Sequence, residues 1–352
     1  MNTHFKGIDY VKALVPVLIL SVLTACGEVT GQEFTTADEP PVEEIVFAAP
    51  AVAQPVQSAP AQPEDPVLPY LMPGEPPEPE TTLVDIDSSL RAHEKRALSG
   101  DKFLESLYER PFTAVEMEYL PDADIQAATI AADDDFYYFG IQLKAPDPAE
   151  NSLTASYGIE FDRGKRGRGD LLVWAGGFTP QWSLDGLTVY EDANQDVGGL
   201  NPLIANQGHE GDGYETALEF TDEKVAFARL SPDDPATVQF AVSRALLDGA
   251  EEFLWGAWAD RSWQDPGRFD YNDFIGPGAA GSPIINSGYY PVKDLPGLDN
   301  TCRRAYGFAP TYDIRGMCTS KPVPEASTSS GGDCQTVCYN FGNQQVCTTV
   351  CN

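Results

Sequence analysis

Asp192, Asn194 and Asp196 stand at alternate positions in "DANQDVGG", the oxygen spacing with which a loop wraps a hard cation such as calcium. Asp270, Asn272 and Asp273 in "FDYND" offer a second set of oxygens. Neither stretch has the glycine at position six or the acid at position twelve of a helix–loop–helix calcium loop. Asp and Asn also cluster in ordinary turns, so calcium and turn chemistry both stand as readings. "FDRGKRGRGD" keeps Asp162 and Gly167 where a D-x-D-x-D-G cation loop would have them, but Gly164 and Arg166 replace the other two oxygens. Arg163, Lys165, Arg166 and Arg168 then put side-chain charge where the metal would sit. Alternatively this basic island grips an anionic sugar, with Arg166 and Arg168 as contacts. Local balance against Asp162 and Asp170 is the plain third reading.

Six cysteines crowd the C-terminal end: Cys302, Cys318, Cys334, Cys338, Cys347 and Cys351. Zinc would need four thiolates converging on a tetrahedral centre. A hairpin turning at Gly342-Asn343 instead sets Cys338 opposite Cys347 and Cys334 opposite Cys351. Counting outward from a two-residue turn, both pairs fall at non-hydrogen-bonded positions, with Cα atoms about 4.5 Å apart. A disulfide accepts that spacing. The spacing therefore favours a doubly stapled hairpin, since two strands alone are marginal in water. Cys302 and Cys318 pair by elimination.

Signals for catalysis are sparse. His209 is the single histidine of the strand-rich region, which rules out a three-histidine metal site there. There is no G-x-S-x-G and no glycine-rich phosphate loop, so nothing points to a nucleotide. Paired carboxylates could hydrolyse a glycoside, but among 54 acidic residues such pairs carry no information. Against 22 basic residues they give a formal net charge of −32, which repels a nucleic-acid backbone.

The elements that must position these residues follow from periodicity. "DFYYFGIQL", "ASYGIEF", "DLLVWAG", "GLTVYED", "TVQFAVS" and "EFLWGAWA" are short apolar or alternating runs split by Gly, Asp, Asn and Pro. They predict an all-β domain over 111–318, an antiparallel sandwich. Residues 83–110 read as a helical segment, with Asp87 or Ser88 as its cap and Gly100-Asp101 splitting it into two short helices. Residues 319–333 read as a linker and 334–352 as the hairpin. From Gly27 to Thr82 no Lys or Arg occurs and twelve prolines do. Residues 26–82 are thus expected to be a disordered tether, partly polyproline II.

Ahead of the tether, Lys6 and Lys12 precede eleven apolar residues, Ala13 to Leu23, the pattern of an export signal over residues 1–25. "LTAC" at its end resembles the lipobox of bacterial lipoproteins. The resemblance implies lipidation of Cys26, attachment to a membrane by that lipid, and an outer or cell-surface location; a leader cleaved with Cys26 incidental is the alternative. Outside the cytosol the other six cysteines are free to oxidise in pairs.

"DADIQAATIAADDDFYYFGIQL", "YGIEFDRGKRGRGDLLV" and "WSLDGLTVYEDANQD" together resemble the strand succession of family 9 carbohydrate-binding modules and DOMON-type domains, over Asp122 to Ala259. The resemblance implies an immunoglobulin-like sandwich and sugar binding. Haem, held by some DOMON domains, lacks support: past the tether only Met117 and Met317 accompany His209. Trp182 and Trp263 sit among polar turn residues and are the expected stacking platforms, while Trp255 and Trp258, three apart on a strand, point to opposite faces, with one of them in the core. The expected function is non-catalytic glycan binding with calcium as the candidate cofactor. A structural or protein-binding envelope lipoprotein is the alternative, and an extracellular glycan hydrolase the second.

Overall fold

The structure, a computed structural model, describes residues 70–98, 100–197, 211–311 and 316–318, and the backbone of 334–341 and 344–351. In chain order the elements are β1 (Thr81–Val84), α1 (Ser89–Ala92), β2 (Glu109–Arg110), β3 (Ile125–Ala132), β4 (Phe136–Leu143), β5 (Ser156–Asp162), β6 (Leu171–Ala175), β7 (Leu187–Glu191) and β8 (Thr216–Ala217). They continue with β9 (Ala226–Leu230), β10 (Thr237–Ser243), β11 (Phe253–Asp260), α2 (Tyr271–Phe274), α3 (Pro277–Ala280), β12 (Leu298–Asn300), β13 (Arg304–Tyr306), β14 (Cys334–Phe341) and β15 (Gln344–Cys351). The chain is all-β. One antiparallel sheet runs β1-β3-β4-β10-β9, and the other runs β2-β12-β11-β5-β6-β7-β8 with β13 also on β11.

Alternation along each strand makes the sandwich. Tyr137, Phe139, Ile141 and Leu143 of β4 face Tyr157, Ile159 and Phe161 of β5 and Phe253 and Trp255 of β11 in one buried cluster. Phe139 meets Phe161 and Trp255 edge-on, with ring centroids 5.2 and 5.3 Å apart.

The second sheet is buried on its far face too. Leu172, Trp174 and Trp258 point away from the sandwich and are covered by Phe103, Tyr108, Tyr214, Phe269 and Tyr271. All eight residues of β11 are buried in consequence. Trp255 and Trp258 do take opposite faces, as expected, but each face meets a core.

Two boundaries differ from the sequence expectation. The segment 83–110 holds one four-residue turn of helix, α1, and a 3-10 turn at Phe103–Glu105, with β1 and β2 at its ends. Its apolar residues go to separate places: Leu83 joins the sandwich core, while Ala97 packs with Phe112, Met117 and Val292. Residues 70–82, part of the expected tether, also belong to the fold. β1 pairs with β3 from Thr81↔Ile130 to Val84↔Ala127, and Glu75 forms an ion pair with Arg229 at 2.6 Å.

Cys302 and Cys318 form a disulfide. β14 and β15 pair in the register expected from the spacing, with Cys334↔Cys351 and Cys338↔Cys347 as Cα partners. Cys26, the leader, most of the tether, His209 and the linker 319–333 lie outside the described residues. No helix among those described is long and apolar enough to cross a membrane.

Candidate functional site

The basic loop after β5 and the acidic loop after β7 lie side by side. Arg163 bridges to Asp170 at 2.8 Å, Asp248 at 2.6 Å and Glu191 at 3.3 Å, and Lys165 reaches Glu252 at 2.5 Å. Arg166 is exposed and donates to the carbonyl of Gln195 at 2.9 Å. Local charge balance, the plainest of the three readings of this island, accounts for these contacts. In the neighbouring loop the oxygens of Asp192 accept from the backbone N–H groups of Asp196 and Val197, both at 3.0 Å, and Asn194 accepts from Asp196 at 3.1 Å. These are Asx turns; they engage the oxygens that a cation would need.

Arg168, expected to contact a sugar, and Asp270, expected to hold a metal, are instead paired with each other at 2.7 Å, both 1 % exposed. Arg168 also lies 3.3 Å from Glu160, which Arg303 meets at 2.7 Å. Glu160 further accepts from the Trp258 indole at 3.1 Å and the Gly169 N–H at 2.8 Å. Gly169 must lack a side chain, because a Cβ there would come within 2.4 Å of Glu160. Burial pushes the Glu160 carboxyl up, but Arg168 and Arg303 outweigh it and hold the group below its ordinary value. This network is sealed under the second sheet's cover and presents nothing to a ligand. Asp273 is buried as well, one turn along α2.

Neither tryptophan platform is bare. Trp182 donates to the Gly74 carbonyl at 3.1 Å and carries Arg229 over its ring at 4.2 Å. Trp263 is stacked on Trp174, with centroids 4.2 Å apart and 25° between planes.

An open cleft of about 460 Å³ lies elsewhere, between the segments around 113–121, 147–148, 261–262 and 296–297. Thr113, Glu118, Tyr119, Asp147, Arg261 and Ser262 furnish its functional groups. The Arg261 guanidinium donates to Asp147 and sits 3.4 Å from Asp122. Backbone N–H groups of Ala149 and Glu150 also bind Asp147, and the Ala149 bond is the main cause holding its carboxyl below the ordinary value.

Behind Tyr119 is a buried carboxylate cluster that the sequence reading missed. Glu109 on β2, Asp124 before β3 and Asp299 on β12 are at most 2 % exposed, and each offers an oxygen within 4.8 Å of the others. Tyr119 donates to Asp124, whose second oxygen accepts from Gln126 at 2.9 Å. Ser88 donates to Glu109 at 2.5 Å, and the Ile125 N–H to Asp299 at 2.8 Å. Burial pushes all three carboxyls well above their ordinary values, and the neighbouring acids push further. Asp85, just past β1, is driven by burial up to about 7. The sequence signal was two alternating acid pairs, "DID" at 85–87 and "DAD" at 122–124; nothing local joins them to 109 or 299.

Comparison with protein-family models, curated proteins and solved structures finds no match to this chain.

Proposed function

We propose that this chain is a lipid-anchored, extracytoplasmic binding protein that holds a glycan without cleaving it, in the cleft of Tyr119, Asp147, Arg261 and Ser262. The observation that carries this reading is the pairing, in one open cleft, of an aromatic ring with a rigidly bonded carboxylate–guanidinium pair. Sugar hydroxyls need fixed planar donors and acceptors for direction, and an apolar ring face for contact area. The basic loop is left out of this reading, because its charges are engaged locally.

A second reading, attachment to an envelope protein, draws on another cleft of about 460 Å³ where Leu104, Ile284, Ile285 and Tyr289 gather. A glycan array probed with the full chain carrying Cys26→Ser, alone and with Arg261→Ala, separates the two. Binding by the parent chain that Arg261→Ala weakens supports the first reading. Absence of glycan binding by a folded chain removes it. The lipid anchor is tested apart, by the mass of the native N-terminal peptide.

A further inference from the structure

We propose that Glu109, Asp124 and Asp299, with Asp85 beside them, form a calcium site that ties the first sheet to the second. This goes beyond the glycan reading and does not rest on it, and it lies away from both loops that the sequence marked for calcium.

Two observations carry it independently. The first is spacing. Oxygens bound to one calcium ion lie at about 2.3–2.6 Å from it, so no two are more than about 5 Å apart. Glu109, Asp124 and Asp299 each present an oxygen within 4.8 Å of the others. The second is a deficit of partners. Asp299 is 0 % exposed and spends Oδ2 on the Ile125 N–H, while its Oδ1 is buried with no hydrogen-bond donor. Oδ2 of Asp85 is buried without a donor as well. Among the described residues no Lys or Arg pairs with any of the four. The cations on adjoining segments are engaged elsewhere: Arg110 with Asp101 at 2.9 Å, Lys144 with Asp87 at 2.7 Å, and Arg261 with Asp122 and Asp147.

Three carboxylates this close and this deep must either hold protons or share a cation. The bonds already present favour the cation. Ser88, Tyr119, Gln126 and the Ile125 N–H each donate to the cluster, which stabilises ionised carboxylates, while Oδ1 of Asp299 is left without a donor. A site made wholly of carboxylates and closed to solvent suits calcium. Magnesium binds at shorter, near-octahedral distances and keeps several of its waters. The ligands come from segments far apart in the chain, so the ion would act as a clasp across the sandwich.

The test uses the full chain carrying Cys26→Ser, stripped with EDTA, then titrated with calcium chloride and followed by calorimetry, thermal melting and native mass. One calcium bound, with a rise in melting temperature, is expected for the parent. Asp299→Asn should weaken that binding on the order of a hundredfold, and Asp192→Asn should leave it intact. Should Asp299→Asn fail to fold, terbium luminescence of the parent serves instead: Tyr119, bonded to Asp124, would sensitise the bound ion, and calcium should quench the signal by displacement. The proposal is overturned by identical melting in calcium and EDTA with no bound ion. It is equally overturned by binding that survives Asp299→Asn, by stabilisation that magnesium supplies as well as calcium, or by terbium emission that calcium leaves unchanged.

Discussion

The guanidinium carbon of Arg229 lies 4.2 Å from the centre of the Trp182 ring, and Glu75 holds the same guanidinium at 2.6 Å. Three side chains from distant segments thus pin the strap at 70–75 over the first sheet. Glu75 is mostly exposed and adds little, so most of the energy resides in the stacking, about 0.5–1 kcal/mol. Arg229→Ala is expected to lower stability to urea by an amount of that order. It should also raise acrylamide quenching of tryptophan fluorescence, as the Trp182 ring is uncovered.

Removing one member of a buried charge network is costlier. Glu160→Gln leaves Arg168 and Arg303 without their shared anion, and such losses cost about 3–5 kcal/mol. Guanidinium chloride unfolding should show that deficit with an unchanged slope. A loss below about 1 kcal/mol would mean that water enters the network.

Asp162 supplies a pH signature. Burial raises its carboxyl from 3.8 to about 6, while the N–H of Gly167, at 2.6 Å, opposes that rise. The folded chain therefore keeps a proton that the unfolded chain has released. Its contribution to stability is complete below pH 3.8 and is lost as pH rises towards 6. Asp162→Asn should flatten that part of the stability profile. A parental slope retained in the variant would reassign it to other acids.

The Cys302–Cys318 bridge closes a span of 16 residues. In the chain-entropy account such a loop is worth about 3 kcal/mol, so Cys302→Ala with Cys318→Ala should lower the unfolding free energy by roughly that much, read by urea denaturation. Peptide mapping under non-reducing conditions should recover Cys334 linked to Cys351 and Cys338 linked to Cys347. A 334–338 or 347–351 linkage would contradict the staple.

What the sequence revealed and what it hid have a common physical cause. Strands such as "FYYFGIQL" show a period of two, and the hairpin register follows from counting outward from its turn. Both are local. The second layer over β11 is gathered from residues 103–108, Tyr214 and residues 263–298, separate one-turn helices and loops that show no common period, so its burial of Trp258 could not be read ahead. Arg168 and Asp270 seemed available because their partners are remote in sequence. The carboxylates at 85, 109, 124 and 299 converge only when β1, β2, β3 and β12 assemble. Glycine-to-charge spacing in one loop cannot report such a meeting.

β1 has a further consequence for handling the protein. It is a four-residue edge strand, and behind it β3 carries unfilled backbone donors and acceptors if β1 is missing. A fragment trimmed to begin at Asp87 would therefore offer a raw seam to its own copies, and light scattering should find it associating end to end where the longer chain stays dispersed.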